Sequence, residues 1–426
     1  MTELLLQVFL IGAVAVAVKA IAVLSSKQGL SPLPVILLLG VILGPTVFNL
    51  FGAPILPASA GLHENTAAAG LMEILVGLGM IQLVFTAGAF TDLDGLKKHG
   101  AAFVLSGLAI FLIPAALSIV LLKVFGASWA VALATASVVS VGSAALAARA
   151  KRGVGESSII APGAAMITFI LGSVLAMVAV GLRLEPTYGA AMTAIGVLYF
   201  FLKGLLLVAA AFFVGRFYLK RLFSHGTLSR KIQGFVGFML LFALFYGWAT
   251  WSVGQIAALP IAFVFGSLFA RSSFEIKERA IPVISKPDSW LISIFFLAFG
   301  LSADFREIQA QIGLFLLLLA ATVAGKISGA ILGARMSEKR TGDGLDLAAR
   351  TLPIGEAGLI LAFFAYGRGL LPPEMFTIVV AIVTVTTLTT PFFSRFRQIM
   401  VQEKRSLIQK AGERFPMSGL GKAGQP

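Results

Sequence analysis

Apolar residues run along this chain in long blocks separated by short polar stretches, from one end almost to the other. Each block is close to the roughly 20 residues that a helix needs to cross the hydrocarbon core of a bilayer. Dividing the chain by these blocks predicts thirteen helical spans. They fall near 4–24, 33–50, 69–91, 101–122, 127–148, 158–181, 190–214, 232–250, 254–270, 288–303, 311–334, 347–366 and 373–394. The expected fold class is therefore an all-α polytopic membrane protein, a transmembrane domain over 1–396 followed by a short tail over 397–426.

Composition strengthens that reading. The chain is 58% hydrophobic and 12% charged, against about 25% charged in soluble domains. It has no cysteine, which excludes disulfides and thiolate metal sites. The start, Met1-Thr2-Glu3-Leu4-Leu5, lacks the positive region of a signal peptide, so the first block is expected to be a retained helix. A net charge of +14 could suggest nucleic acid, but the basic residues sit in the loops between spans, and no nucleic-acid partner is expected. Their distribution is lopsided. Alternate loops on one side, with the tail, carry 27 of the lysines and arginines, and those on the other side hold Lys123, Arg183, Arg306 and Arg368. Positive charge marks the cytoplasmic side. The expectation is a protein of the cell (inner) membrane with its N-terminus outside and its C-terminus cytoplasmic.

The spans also repeat. Gly88-Ala89-Phe90-Thr91-Asp92 returns as Gly300-Leu301-Ser302-Ala303-Asp304, and Val141-Gly142-Ser143-Ala144 as Ile354-Gly355-Glu356-Ala357. Leu33-Pro34 with Gly40 returns as Leu259-Pro260 with Gly266. The charge count puts Asp92 at the cytoplasmic end of its span and Asp304 at the external end. Equivalent residues on opposite faces are the mark of two inverted-topology repeats, an architecture that places substrate sites between the copies. Repeat one would cover about 1–181, a connector helix 190–214, and repeat two about 232–396.

Few ionisable groups lie inside the spans. Glu73 and Glu356 are the acidic ones, with Asp92 and Asp304 at rims, and Lys203 and Lys326 are the interior lysines. Such groups are costly in a membrane and usually face a partner or a watery cavity. Lys203 is readable as a snorkelling or packing residue and Glu73 as a structural carboxylate. Lys326 sits among Gly325, Gly329 and Gly333, a stripe that favours close helix contact. Glu356 lies in Thr351-Leu352-Pro353-Ile354-Gly355-Glu356, where Pro353 removes a donor and Gly355 weakens the helix. Together with Ser140-Val141-Gly142-Ser143, this predicts two crossed broken helices whose exposed backbone groups suit an ion.

The segments Pro34–Pro45, Glu73–Asp92, Phe295–Asp304 and Leu352–Leu359 resemble, in order and spacing, the monovalent cation:proton antiporter superfamily, over roughly 30–395. The resemblance implies a sodium/hydrogen exchanger-like homodimer in the lipid bilayer, whose core domain moves like an elevator. It also implies ion-binding and coupling roles for Lys326 and Glu356, with Ser143, Thr168, Gly142 and Gly355 beside them and Glu73, Asp92, Asp304 and Phe169 as additional candidates. One departure stands out. Where the family carries its ion-binding carboxylate, this chain reads Ala165-Met166-Ile167-Thr168-Phe169, and no acidic residue occurs between Glu156 and Glu185. Three readings remain open. The first is exchange of a monovalent cation, Na+ or K+, for a proton through Glu356 or Glu73. The second is transport of a small anion such as bicarbonate or a carboxylate at Lys326. The third is a transport-inactive sensor or assembly relative. An enzyme is not expected, since His63, His99 and His225 all lie in loops. No cofactor is expected either: Gly419-Leu420-Gly421-Lys422-Ala423-Gly424 mimics a dinucleotide motif but has no preceding strand.

Overall fold

The computed structural model describes residues 32–49, 67–90, 99–149, 157–188, 262–269, 290–337 and 341–389, with short pieces within 12–25 and 195–202 and residue 271. Among the described residues every regular element is helical. They are α1 (Pro32–Leu43), α2 (Ala67–Phe90), α3 (Gly100–Val124), α4 (Trp129–Val139), α5 (Ala144–Arg149) and α6 (Ser157–Tyr188). Then come α7 (Trp290–Ser302), α8 (Glu307–Ala310), α9 (Ile312–Met336), α10 (Thr341–Thr351), α11 (Gly355–Gly367) and α12 (Pro373–Leu388). The expected span 232–250, most of 190–214 with Lys203, Asp92 and the tail 397–426 lie outside the described residues.

Three described helices are long and apolar enough to cross a membrane: Gly100–Val124, Ile159–Arg183 and Ile312–Met336. The block read as one span over 347–366 is two helices, α10 and α11, bent by 47° at their junction. The block read as 33–50 is helical only to Leu43. Pro45 follows at once, and its missing N–H and restriction of the preceding residue end the helix.

α3 and α9 pack antiparallel along the glycine stripe. A Cβ on Gly325 would lie 2.6 Å from Pro114 Cα, one on Gly329 2.8 Å from Ile110 Cα, and one on Gly333 2.6 Å from Ser106 Cα. Without side chains at these positions the two backbones touch, and dispersion contacts replace the hydrophobic drive that lipid does not supply. The same device joins α1 to α7 at Gly40 and Gly300, where a Cβ on either would lie within 2.9 Å of the other's Cα. It also joins α2 to the helical residues 262–269, Gly88 meeting the backbone of Phe263 and Gly266 that of Phe85. Around these contacts sits an aromatic core, with Phe295 and Phe299 at 5.0 Å, Phe299 and Phe376 at 6.3 Å, and Tyr366 stacked on Phe376 at 4.3 Å.

Candidate ion-binding site

α4 and α10 both stop short, and their interruptions meet. α4 starts at a Ser128 cap whose hydroxyl accepts from the Val131 N–H at 3.3 Å and ends at Val139. Residues 141–143 are then non-helical, and the chain turns helical again at Ala144. In the second interruption Pro353 supplies no N–H and disfavours helical backbone at Leu352. Residues 352–354 are non-helical, and α11 opens at Gly355 with φ +54°, a left-handed conformation that a side chain strains. The Ser143 N–H donates to Pro353 O at 2.9 Å, so one break closes on the other.

Side chains complete the junction. Lys326, fully buried on α9, donates its Nζ to the carbonyls of Val141, Thr351 (3.3 Å) and Leu352 (3.2 Å). These carbonyls belong to both breaks, where helical partners are missing. The ammonium therefore plugs three orphan acceptors at once, and among the described residues no carboxylate pairs with it. From α6, Thr168 Oγ1 accepts the Gly142 N–H at 2.9 Å while donating to Ala165 O at 2.7 Å. Ser143 Oγ accepts from the Leu146 N–H at 2.9 Å, capping α5, and donates to Glu356 Oε2. Glu356 is 3% exposed and sits in the first turn of α11, where the helix dipole favours a negative charge.

The structure thus brings together six of the residues singled out in the sequence: Lys326, Glu356, Ser143, Thr168, Gly142 and Gly355. Of the other four, two can be placed. Phe169 is buried in the apolar core. Asp304 lies beyond α7, held in a fork by Arg306, with Nη2 at 2.7 Å and Nε at 2.9 Å from its carboxylate. That guanidinium keeps the Asp304 carboxyl below the usual carboxylate range. Its contacts are local, so the structure places it at a helix end and not among the breaks. Glu73 is on α2, but its side chain, like Asp92, falls outside the described residues. Residue types could not flag the main-chain acceptors Val141, Thr351, Leu352 and Pro353. Their one sequence signal is Pro353, which frees neighbouring carbonyls.

Two interrupted helices thus meet beside a buried lysine and carboxylate, and the chain as a whole matches a known family. The model of the transmembrane sodium/hydrogen exchanger fits residues 13–395. The chain belongs to this family. Relatives include the Na+/H+-K+ antiporter GerN of Bacillus cereus, 24% identical over 361 residues, 83% of this chain and 87% of that one. Another is the high-affinity Na+/H+ antiporter NhaS3 of Synechocystis, 24% identical over 366 residues, 80% of this chain and 75% of that one. The fold is that of the sodium proton antiporter MjNhaP1 from Methanocaldococcus jannaschii, at a TM-score of 0.66 and 18% identity, covering 93% of this chain and 99% of that one. The chain is thus an integral membrane protein of a transporter family.

Proposed function

We propose that this exchanger-family member is a secondary-active antiporter of a monovalent cation, Na+ or K+, against protons, with Glu356 as the group that carries the exchange. One observation carries the reading: the buried Glu356 carboxylate, hydrogen-bonded to Ser143, sits where the two helix breaks meet. A carboxylate there binds a cation or a proton but not both, which is the competition that antiport needs. Ser143 supplies a hydroxyl that can donate to the charged carboxylate or turn its lone pairs to a cation. Thr168 and Phe169 stand where the resemblance implies a polar residue followed by an acid, and Thr168 holds the Gly142 N–H in place. Lys326 acts as a tethered cation that keeps the carbonyls of both breaks satisfied, so the junction moves as one body.

The anion reading loses its support in this geometry. The Lys326 ammonium is ringed by three carbonyl oxygens, and Glu356 occupies the same junction, so an anion would enter against oxygens of like polarity. The packing also favours two inverted repeats. α1 pairs with α7 through Gly40 and Gly300, while their sequence counterparts Gly266 and Gly88 pair 262–269 with α2. Exchanging the two copies maps one contact onto the other. We further propose thirteen spans, a homodimer and elevator-type movement, with the C-terminus in the cytoplasm of the cell that bears it in its inner membrane. Purified protein in liposomes tests the ion. Imposed Na+ or K+ gradients are expected to drive proton movement in the opposite direction. Proton movement driven by bicarbonate alone, with no response to either cation, would overturn the reading.

A further inference from the structure

α10 packs on both α9 and α6, and it does so on nearly opposite faces. Gly344 lies against α9, where a Cβ would come within 2.8 Å of Ile331 Cα. Asp346 is two positions on and roughly 200° further round the helix. It reaches the start of α6, where the Ser157 hydroxyl donates to its Oδ2. The same oxygen accepts Arg350 Nε at 3.1 Å, from one turn further along α10. Arg350 is buried, 4% exposed. A pair of charges four residues apart on one helix adds little stability in water and costs desolvation when buried. What the pair does here is aim a carboxylate, since the guanidinium holds Asp346 where it receives Ser157. From this anchor α10 runs unbroken to the junction. Thr351 Oγ1 donates to Leu347 O at 2.8 Å, and the Leu352 N–H to Ala348 O at 2.8 Å. Only about 7.5 Å of helix rise separates Asp346 from Thr351.

We propose that Asp346 is a positioning residue for exchange: with Arg350 behind it and Ser157 across from it, it sets the register of α10 in the bundle. The inference rests on the reading of the junction as the exchange site. A helix gripped on two opposite faces neither rolls nor slides. The end of α10 therefore stands at one place, and it carries the Thr351 and Leu352 carbonyls that accept from Lys326. The chain then passes through Pro353, whose carbonyl accepts the Ser143 N–H, into the first turn of α11 with Glu356. A ligand set works only when the groups behind it hold it within a fraction of an ångström. Asp346 acts at that distance, through the helix and not on the ion.

Two readouts on the purified full-length protein test this. Ser157→Ala leaves the ion pair in place and removes only the tie to α6. In liposomes it should raise the apparent KM for the driving Na+ or K+ roughly tenfold, as losing a hydrogen bond behind a metal's ligands does. The maximal rate should change far less, and the melting midpoint should stay near that of the wild type. Ser157→Thr keeps the hydroxyl and should restore the KM. The second readout does not depend on the transported ion. The chain has no cysteine, so Leu352→Cys puts a single thiol at the break, at a position 2% exposed. Adding Ser157→Ala should speed the reaction of that thiol with a water-soluble methanethiosulfonate several-fold, and adding Ser157→Thr should not. An unchanged labelling rate in Ser157→Ala would overturn the proposal. So would a KM equal to that of the wild type, with or without a lowered midpoint, since that is the mark of a merely structural tie. A wild type that moves no protons in response to either cation would sink the exchange reading alone, and the labelling would still decide whether Ser157 and Asp346 hold the register of α10.

Discussion

The lysine at the junction does a structural job as well as an electrical one. Its amine is the donor for three backbone carbonyls drawn from both breaks. Lys326→Ala should therefore abolish coupled flux and also lower stability, by about 1–3 kcal/mol for each buried carbonyl left without a donor. Denaturant unfolding in detergent beside liposome flux measures both. Loss of flux at unchanged stability would contradict the carbonyl-plug role. Both charged residues were legible in the sequence because ionisable groups stand out in an apolar span. Their partners were not, since a carbonyl belongs to every residue and its neighbours are set by the fold. Asp304, conspicuous in the repeat, is held by Arg306 two positions on, a local pairing that the repeat does not announce. Nearby Glu307 makes a pH prediction. Burial raises its carboxyl above the ordinary 4.5, so the stability it contributes is present below that value and is lost as the pH rises through the raised one. Glu307→Gln should flatten this loss as the pH rises above 4.5 and melt higher than the wild type once the wild-type carboxyl is ionised. An unchanged pH slope in the unfolding midpoint would refute it.

Among elements, the decisive contacts are those where backbone touches backbone. Gly329→Ala would push a methyl to 2.8 Å from Ile110 Cα. Rigid helix backbone cannot yield there, so α3 and α9 must part along the whole stripe. The expected outcome is a loss of folded protein, read as low yield and a collapsed midpoint in size-exclusion and melting assays. Gly313→Ala on the same helix, with open space at its Cβ, should be neutral or slightly stabilising. Gly355→Ala meets a second obstacle, a left-handed φ that costs a side chain roughly 1–2 kcal/mol, besides a Cβ only 2.8 Å from that of Ser143. The glycine stripe was readable from its four-residue spacing, and the break in α10–α11 from Pro353. The break after α4 has no proline. It was visible because Gly142 and Ser143 repeat the Gly355 and Glu356 pair. Nothing in the sequence announced that Ser157 on α6 and Arg350 on α10 would close on the same Asp346 carboxylate.

At the scale of the whole molecule, the chain keeps the fold of its exchanger family. The helix that elsewhere in this resemblance carries an acid contributes Thr168, a neutral clamp on the Gly142 N–H. The buried charges at the junction are one lysine and one glutamate, each contributed by the second half of the chain and each bonded to the first half, through Val141 and Ser143. Such cross-pairing ties the halves together at their centre, and it makes the ion site a property of their union. The central claim is that Glu356 carries the exchange in place of the missing carboxylate on α6. It is tested most directly by cation-driven proton flux in liposomes containing purified wild type or Glu356→Gln, with matched thermal midpoints as proof of folding. The wild type should move protons when a Na+ or K+ gradient is imposed, and Glu356→Gln should not. Exchange at the wild-type rate by Glu356→Gln would contradict the account and send the search for the exchanging group to Glu73.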